Sequence, residues 1–197
     1  MNNKVTITKT EILSKQKHTL KKITFERPNN DGELQQKTNE VYDMGNAATA
    51  LLYNPEQKKI ILTKQFRLPS YLNNNNTGVL IEACAGKIDD ESPEECMKRE
   101  IEEETGYKVG SVKKIFEAYT SPGTITELLY FFIAEYNNSM KVSNGGGLKE
   151  ENEDVEVLEI SFNDAIKMID TGEIKDAKTI MLLQYAKLHG LLQNREQ

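Results

Sequence analysis

Residues 99–107 read REIEEETGY, which places four glutamates within five positions and a glycine shortly after them. If the stretch is helical, Glu100, Glu103 and Glu104 stand at i, i+3 and i+4 and share one face. Such a face is unfavourable by itself. A carboxylate near a helix C-terminus costs about 0.3–1 kcal/mol, and like charges four residues apart cost roughly 0.2–0.5 kcal/mol more. Three oxygen ligands on a rigid surface suit a hard divalent cation, Mg2+ above all, which keeps part of its water and binds beside substrate phosphates. A bound cation would remove the repulsion. The competing reading is a solvated acidic face, the commoner fate of a charge run.

Other residue types point the same way. EENED at 150–154 follows three glycines, so Glu153 sits on a loop able to close over a cation and supply a base or a further ligand. Arg67 ends an apolar strand-like run, and its fork of donors suits a phosphate or carboxylate; the alternative is a surface ion pair. Lys178 begins the last helical stretch, where a cation opposes the helix dipole unless an anion is bound; the alternative is a solvated lysine. Only two histidines occur, His18 and His189, which argues against an imidazole-built zinc site or a Ser-His-Asp triad. Chemistry here must run on carboxylates and lysines.

The elements that would position these residues follow from pattern. VTITKTEI, HTLKKITFER and LQQKTNEVYDMG alternate loosely and are rich in Thr, Val and Ile, so residues 4–45 predict three strands with too few apolar residues for a core of their own. AATALLY and KIILTKQF predict two apolar strands around the turn NPEQK. LPSYLNNNNTG predicts a loop with a mobile asparagine tip, and VLIEACAG predicts one strand whose closing Ala85-Gly86 lets the backbone come close to something. A helix from about Pro93 to Thr105 has Ser92 or a neighbour as cap, Pro93 in its first turn, an apolar face of Cys96, Met97 and Ile101, and Gly106 to end it. VKKIFEAY, ELLYFFIAEY and VEVLEI predict strands, SNGGGLKEENED a flexible acidic loop, and FNDAIKMIDTG and DAKTIMLLQYAKLHGLL two closing helices. Mixed strands and helices without a repeat make the class α+β.

Bulk composition bounds the rest. With 197 residues, 38% hydrophobic and 28% charged, the chain is expected to make one globular domain with a small appendage. A net charge of −6 argues against nucleic acid as a partner, and no apolar run reaches the roughly 20 residues of a membrane span. Cys84 and Cys96 make no disulfide framework; they read as small buried hydrophobes, and a cytoplasmic location is expected.

GKIDDESPEECMKREIEEETGY at 86–107 resembles a Nudix box, which runs Gly, five residues, Glu, seven residues, Arg-Glu-aliphatic-x-Glu-Glu-x-Gly-aliphatic. Arg99, Glu100, Ile101, Glu103, Glu104, Gly106 and Tyr107 fit it one by one. The spacing from Gly86 to Arg99 is one residue short: Ser92 stands where the box has its first glutamate, while Glu91 keeps the spacing to Arg99. Either Glu91 or nothing replaces the missing acid.

The resemblance extends over nearly the whole chain to the GDP-mannose pyrophosphatase branch, with ADP-ribose pyrophosphatases as near relatives. It is carried by EVYDMGNAATALLYN, QFRLPSY, LIEACAG, SPGTITEL, NGGGLKEENEDVEVLE and TGEIKDAKT. It implies a Nudix α/β/α sandwich with a mixed sheet over 45–197 and a small N-terminal β domain over 1–44 that exchanges across a homodimer. It further implies Mg2+, with Mn2+ as substitute, held by Glu100, Glu104, the carbonyl of Ala85 and Glu153, with Glu103 close by. Glu153 is then the candidate for activating water and Glu103 the runner-up. The substrate contacts implied are Thr38, Asn39, Glu40, Arg67, Ala85, Gly86, Lys87, Glu104, Glu127, Asn152, Glu153 and Lys178. To these is added position 17 of the partner subunit, where this chain has Lys17 in place of a tyrosine. The expected activity is hydrolysis of GDP-mannose to GMP and mannose 1-phosphate. ADP-ribose or another nucleoside-diphosphate sugar is the alternative. A catalytically silent nucleotide-binding module is a third reading, which would have no reason to keep destabilising carboxylates.

Overall fold

A computed structural model describes residues 4–148, 150 and 153–193. It divides into two compact units, one made of residues up to Asn46 with Tyr119–Leu128, the other of Ala47–Ala118 with the chain from Leu129 onward.

In the first unit, β1 (Thr6–Lys15), β2 (Thr19–Pro28) and β3 (Leu34–Asp43) form an antiparallel sheet in that order. The β2–β3 turn is built by Asn29, whose Oδ1 accepts from Asp31 N at 3.0 Å and Glu33 N at 2.8 Å. The segment Tyr119–Leu128 joins it through Tyr42 N to Thr124 O at 2.8 Å and Thr126 Oγ1 to Asp43 Oδ1 at 3.1 Å. None of the described residues up to Asn46 is buried, as their sparse apolar content led us to expect.

The second unit contains β4 (Ala47–Asn54), β5 (Lys59–Phe66), α1 (Leu68–Leu72), β6 (Val79–Glu82), β7 (Cys84–Lys87), α2 (Pro93–Thr105), β8 (Lys113–Tyr119), β9 (Leu128–Glu135), β10 (Val155–Ser161), α3 (Phe162–Asp170) and α4 (Ala177–Leu188). Its sheet runs β10-β5-β4-β9-β8, with β6 on β5 and β7 on β4; β4 and β9 are parallel, while β10, β6 and β7 pair antiparallel. Strand side chains alternate between faces. Leu51, Ile60, Leu62, Phe131 and Ile133 therefore pack with Phe162, Ala165, Leu182 and Leu183 of α3 and α4. Ala50, Leu52, Ile61, Phe132 and Ala134 pack with Cys96, Met97 and Ile101 of α2 on the other side. The result is an α/β/α sandwich on a mixed sheet.

Two local expectations change. LPSYL, read as loop, is a short helix with Pro69 in its first turn, and Asn75 is fixed by bonds to Ser70 Oγ at 3.2 Å and Val79 O at 3.1 Å rather than left at a mobile tip. VLIEACAG is two strands. β4 and β5 pair only from Leu52↔Ile61 to Asn54↔Lys59; beyond that they part, β6 following β5 and β7 following β4. The changeover falls at Ala83, whose N–H donates to Thr179 Oγ1 at 2.7 Å.

Candidate active site

α2 is bounded by local chemistry. Ser92 accepts from Glu95 N at 3.2 Å while Glu95 reaches back to Ser92 N at 3.1 Å, a complete capping box, and Gly106 ends the helix at φ 77°. Its buried stripe is Cys96, Met97, Glu100, Ile101, Glu104 and Thr105. Two positions of the core-facing stripe are thus carboxylates. Burial pushes Glu100 up to about 7, with Glu103 and Glu153 adding repulsion and Arg99 opposing. Burial likewise pushes Glu104 up to about 7, with repulsion from Glu100 and Glu153.

The backbone of β7 lies directly over this pair. Ala85 N donates to Glu104 Oε2 at 3.4 Å, and a Cβ at Gly86 would overlap the Glu100 carboxylate. Gly86 is therefore required by close approach. Lys87 points to Asp89, 2.9 Å away.

Arg99 gathers the outer carboxylates. Its Nη1 donates to Glu100 Oε1 at 2.8 Å and Glu103 Oε2 at 2.9 Å; its Nε and Nη2 donate to Glu91 Oε1 at 3.1 and 2.6 Å. Glu91 thus fills the supporting role beside Arg99, and Ser92 is freed to cap. A cavity of about 560 Å³ opens next to Arg99 and Glu103, with Lys98 and Lys108 among its walls.

The glycine run, read as a hinge, lies docked on the end of α2. Gly146 N donates to Glu104 O at 2.9 Å and Gly147 N to Glu103 O at 3.1 Å, so the loop covers the last carbonyls of α2. Gly145, Gly146 and Gly147 all have positive φ, and a Cβ on Gly145 would strike the helix end. Glu153 folds back onto this docked backbone, accepting from Leu148 N at 3.1 Å. Asn152 lies outside the described residues.

Arg67 and Lys178 meet at a residue that pattern reading missed. Glu82, 4% exposed, accepts from Arg67 Nε and Nη2 through one oxygen at 3.0 and 2.6 Å, and its other oxygen lies 3.5 Å from Lys178 Nζ. Lys178 also reaches Asp176 at 3.0 Å, so its opposition to the helix dipole is met by carboxylates of the protein itself. The signal for Glu82 was a lone acid inside the apolar run VLIEACA.

The remaining candidates lie in the first unit. Thr38 Oγ1 is 3.0 Å from Thr24 Oγ1; Asn39 and Glu40 are exposed on β3 opposite Ile23 and Lys22; Lys17 is exposed in the β1–β2 turn; Glu127 accepts from Thr120 Oγ1 at 3.3 Å. Asn39 borders a cavity of about 360 Å³ with Tyr119, Thr124 and Thr126.

Both cysteines are buried free thiols; burial pushes Cys96 up to about 12 and Cys84 well above its ordinary value, as inert core groups. His189 stacks on Tyr185 with ring centres 4.1 Å apart, and His18 sits edge-on to Tyr42.

Among the described residues no three carboxylate, imidazole or thiol groups converge as a ready cation cage; Arg99 bonds both Glu100 and Glu103. The donor set nonetheless fits a hard divalent cation: two buried carboxylates one helical turn apart, a third carboxylate repelling both, and backbone pressed against them.

This architecture and helix are those of a known family. Residues 43–183 match the NUDIX domain, and residues 4–42 match the GDP-mannose pyrophosphatase NudK N-terminal domain. The chain belongs to the NUDIX domain family, whose hydrolases use divalent metal cations. It is 49% identical over 192 residues, 98% of this chain and 100% of the relative, to the GDP-mannose pyrophosphatase of Escherichia coli O1:K1 / APEC. It is 48% identical over the same span to that of Shigella flexneri serotype 5b (strain 8401). A crystal structure of an ADP compounds hydrolase superposes with a TM-score of 0.74 over 98% of this chain and 97% of that one; at 15% identity it speaks for the fold alone. Among the described residues no helix is long and apolar enough to cross a membrane.

Proposed function

We propose that this chain hydrolyses GDP-mannose to GMP and mannose 1-phosphate with Mg2+ as its cation, for which Mn2+ substitutes. The observation that carries this is the buried pair Glu100 and Glu104, which occupies core-facing positions at a cost to the fold and has no packing role that an apolar residue would not fill better. The near-full-length likeness to GDP-mannose pyrophosphatases selects the substrate.

Glu100, Glu104, the Ala85 carbonyl and Glu153 would hold the cation, with Glu103 beside them. When bound, it supplies Lewis acidity toward the diphosphate oxygens and the attacking water. Glu153 orients that water and takes its proton on a carboxylate oxygen; Glu103 is second in line for the same work. One anhydride P–O bond breaks as the water oxygen bonds to phosphorus. Arg67 and Lys178 bind the anionic diphosphate, Gly86 and Lys87 bring the β7 backbone to it, and Asn152 adds a further substrate contact. Thr38, Asn39, Glu40 and Glu127 contact the sugar and base, with Lys17 supplied by a second copy.

The protein functions as a homodimer in which the N-terminal domain (1–44) exchanges onto the partner's Nudix domain (45–197). Two observations support this: the first unit has no buried described residue in its three-stranded sheet, and β1 exposes Ile7 by 57% and Ile12 by 60%. A cytoplasmic setting agrees with two free thiols. Comparison of GDP-mannose and ADP-ribose hydrolysis with Mg2+, with products identified, tests the reading. GMP and mannose 1-phosphate at much the higher kcat/KM are expected; preference for ADP-ribose would overturn the substrate.

A further inference from the structure

Glu82 closes β6 at the point where β4 and β5 part, and its side chain is 5% exposed. A carboxylate so buried requires strong partners, and it has two. From the end of β5, Arg67 turns Nε and Nη2 onto one Glu82 oxygen, on a side chain that is 40% exposed. From the first turn of α4, Lys178 approaches the other oxygen.

The second cation is itself braced. Asp176 caps α4, accepting from Thr179 N at 3.0 Å and Thr179 Oγ1 at 2.6 Å, while its other oxygen lies 3.0 Å from Lys178 Nζ. Thr179 Oγ1 in turn accepts from Ala83 N, the residue next to Glu82. The N-terminus of α4, the end of β6 and the end of β5 are thus tied together around a single carboxylate. Arg67 and Lys178 would repel one another and lose their common direction without it.

We infer that Glu82 is a positioning residue, whose buried carboxylate holds Arg67 and Lys178 side by side as a two-cation seat for the substrate's diphosphate. The inference rests on the diphosphate hydrolysis proposed above. Glu82 acts through the two side chains it aligns. Binding that is equal in ground state and transition state appears in KM rather than kcat.

The test is steady-state kinetics on GDP-mannose with Mg2+ for the wild type, Glu82→Gln, Arg67→Lys and the double variant. Glu82→Gln is expected to raise KM about tenfold, the scale of one charge-assisted hydrogen bond, with kcat within about twofold. On the Arg67→Lys background the same change should have far less effect, because the fork it aligns is already gone. A folded Glu82→Gln protein with unchanged KM, or fully additive effects, would overturn the assignment. If Glu82→Gln does not fold, Glu82→Asp keeps the charge but shortens the reach, and is read by the same KM criterion. Should the wild type fail to hydrolyse GDP-mannose, the proposed function falls and Glu82 is judged on inorganic pyrophosphate binding by calorimetry. Weaker binding by about fivefold or more in the variant then supports the seat, and equal or absent binding overturns it.

Discussion

Glu91 Oε1 lies 2.6 Å from Arg99 Nη2 and 3.1 Å from Nε, while the adjacent Ser92 caps the helix that carries Arg99. The shortened box has therefore divided two tasks between neighbouring residues. Arg99 turned by Glu91 is what keeps Glu100 and Glu103 together before any cation arrives.

The two roles separate by mutation. Glu91→Gln releases the guanidinium and is expected to lower kcat/KM by about tenfold or more, the usual penalty for losing an outer partner of a cation ligand, with little change in Tm. Ser92→Ala removes a cap worth about 1 kcal/mol and should lower Tm by roughly 2–4 °C with kcat nearly intact. Enzyme assay and thermal melting on both variants check the division.

Gly86 offers a steric prediction. A Cβ there would overlap the Glu100 carboxylate, whereas one on Gly110 meets nothing within 4 Å. Gly86→Ala is expected to cost about 1–3 kcal/mol and to eliminate divalent-cation binding. Gly110→Ala should stay within about 0.5 kcal/mol and keep activity. Chemical denaturation and Mn2+ titration distinguish the two.

The carboxylate pair sets the pH dependence of the cation-free protein. Both groups titrate near 4.5 when unfolded and near 7 when folded, so the folded state holds more protons between those values. Stability is then greatest below about 4.5 as far as these groups are concerned, and falls as pH rises from about 4.5 through 7. In EDTA, Tm should climb as pH is lowered from 8 to about 5.5; Mg2+ should add most at the high end, where both carboxylates are ionised. A flat EDTA profile would contradict the burial of the pair.

Much of this arrangement is legible in the sequence, and what is not has a physical reason. Ser92, Pro93 and Gly106 act within a turn of themselves, so α2 reads at its true limits. The strands of the second unit read as apolar runs because both faces are packed. Splitting VLIEACAG depends on which strand lies alongside, β5 or β4, and no local pattern encodes that choice. The same holds for Tyr119–Leu128 folding with the N-terminal sheet. Gly145–Gly147 read as a hinge because glycine permits many conformations; their close approach to the carbonyls of Glu103 and Glu104 is a contact that no local pattern encodes. Glu82 acquires meaning only once Arg67 and Lys178, more than a hundred residues apart, both reach it.

The most direct test of the central claim is Glu104→Gln, measured for both hydrolysis and stability. If the buried carboxylate is a cation seat kept at the expense of the fold, the variant should lose GDP-mannose hydrolysis by orders of magnitude with Mg2+ present. In EDTA at pH 8 it should melt at or above the wild-type Tm. Wild-type turnover should vanish in EDTA and return with Mg2+. Near-normal turnover by the variant, or full wild-type turnover in EDTA, would return Glu104 to an ordinary acidic helix residue and contradict the account.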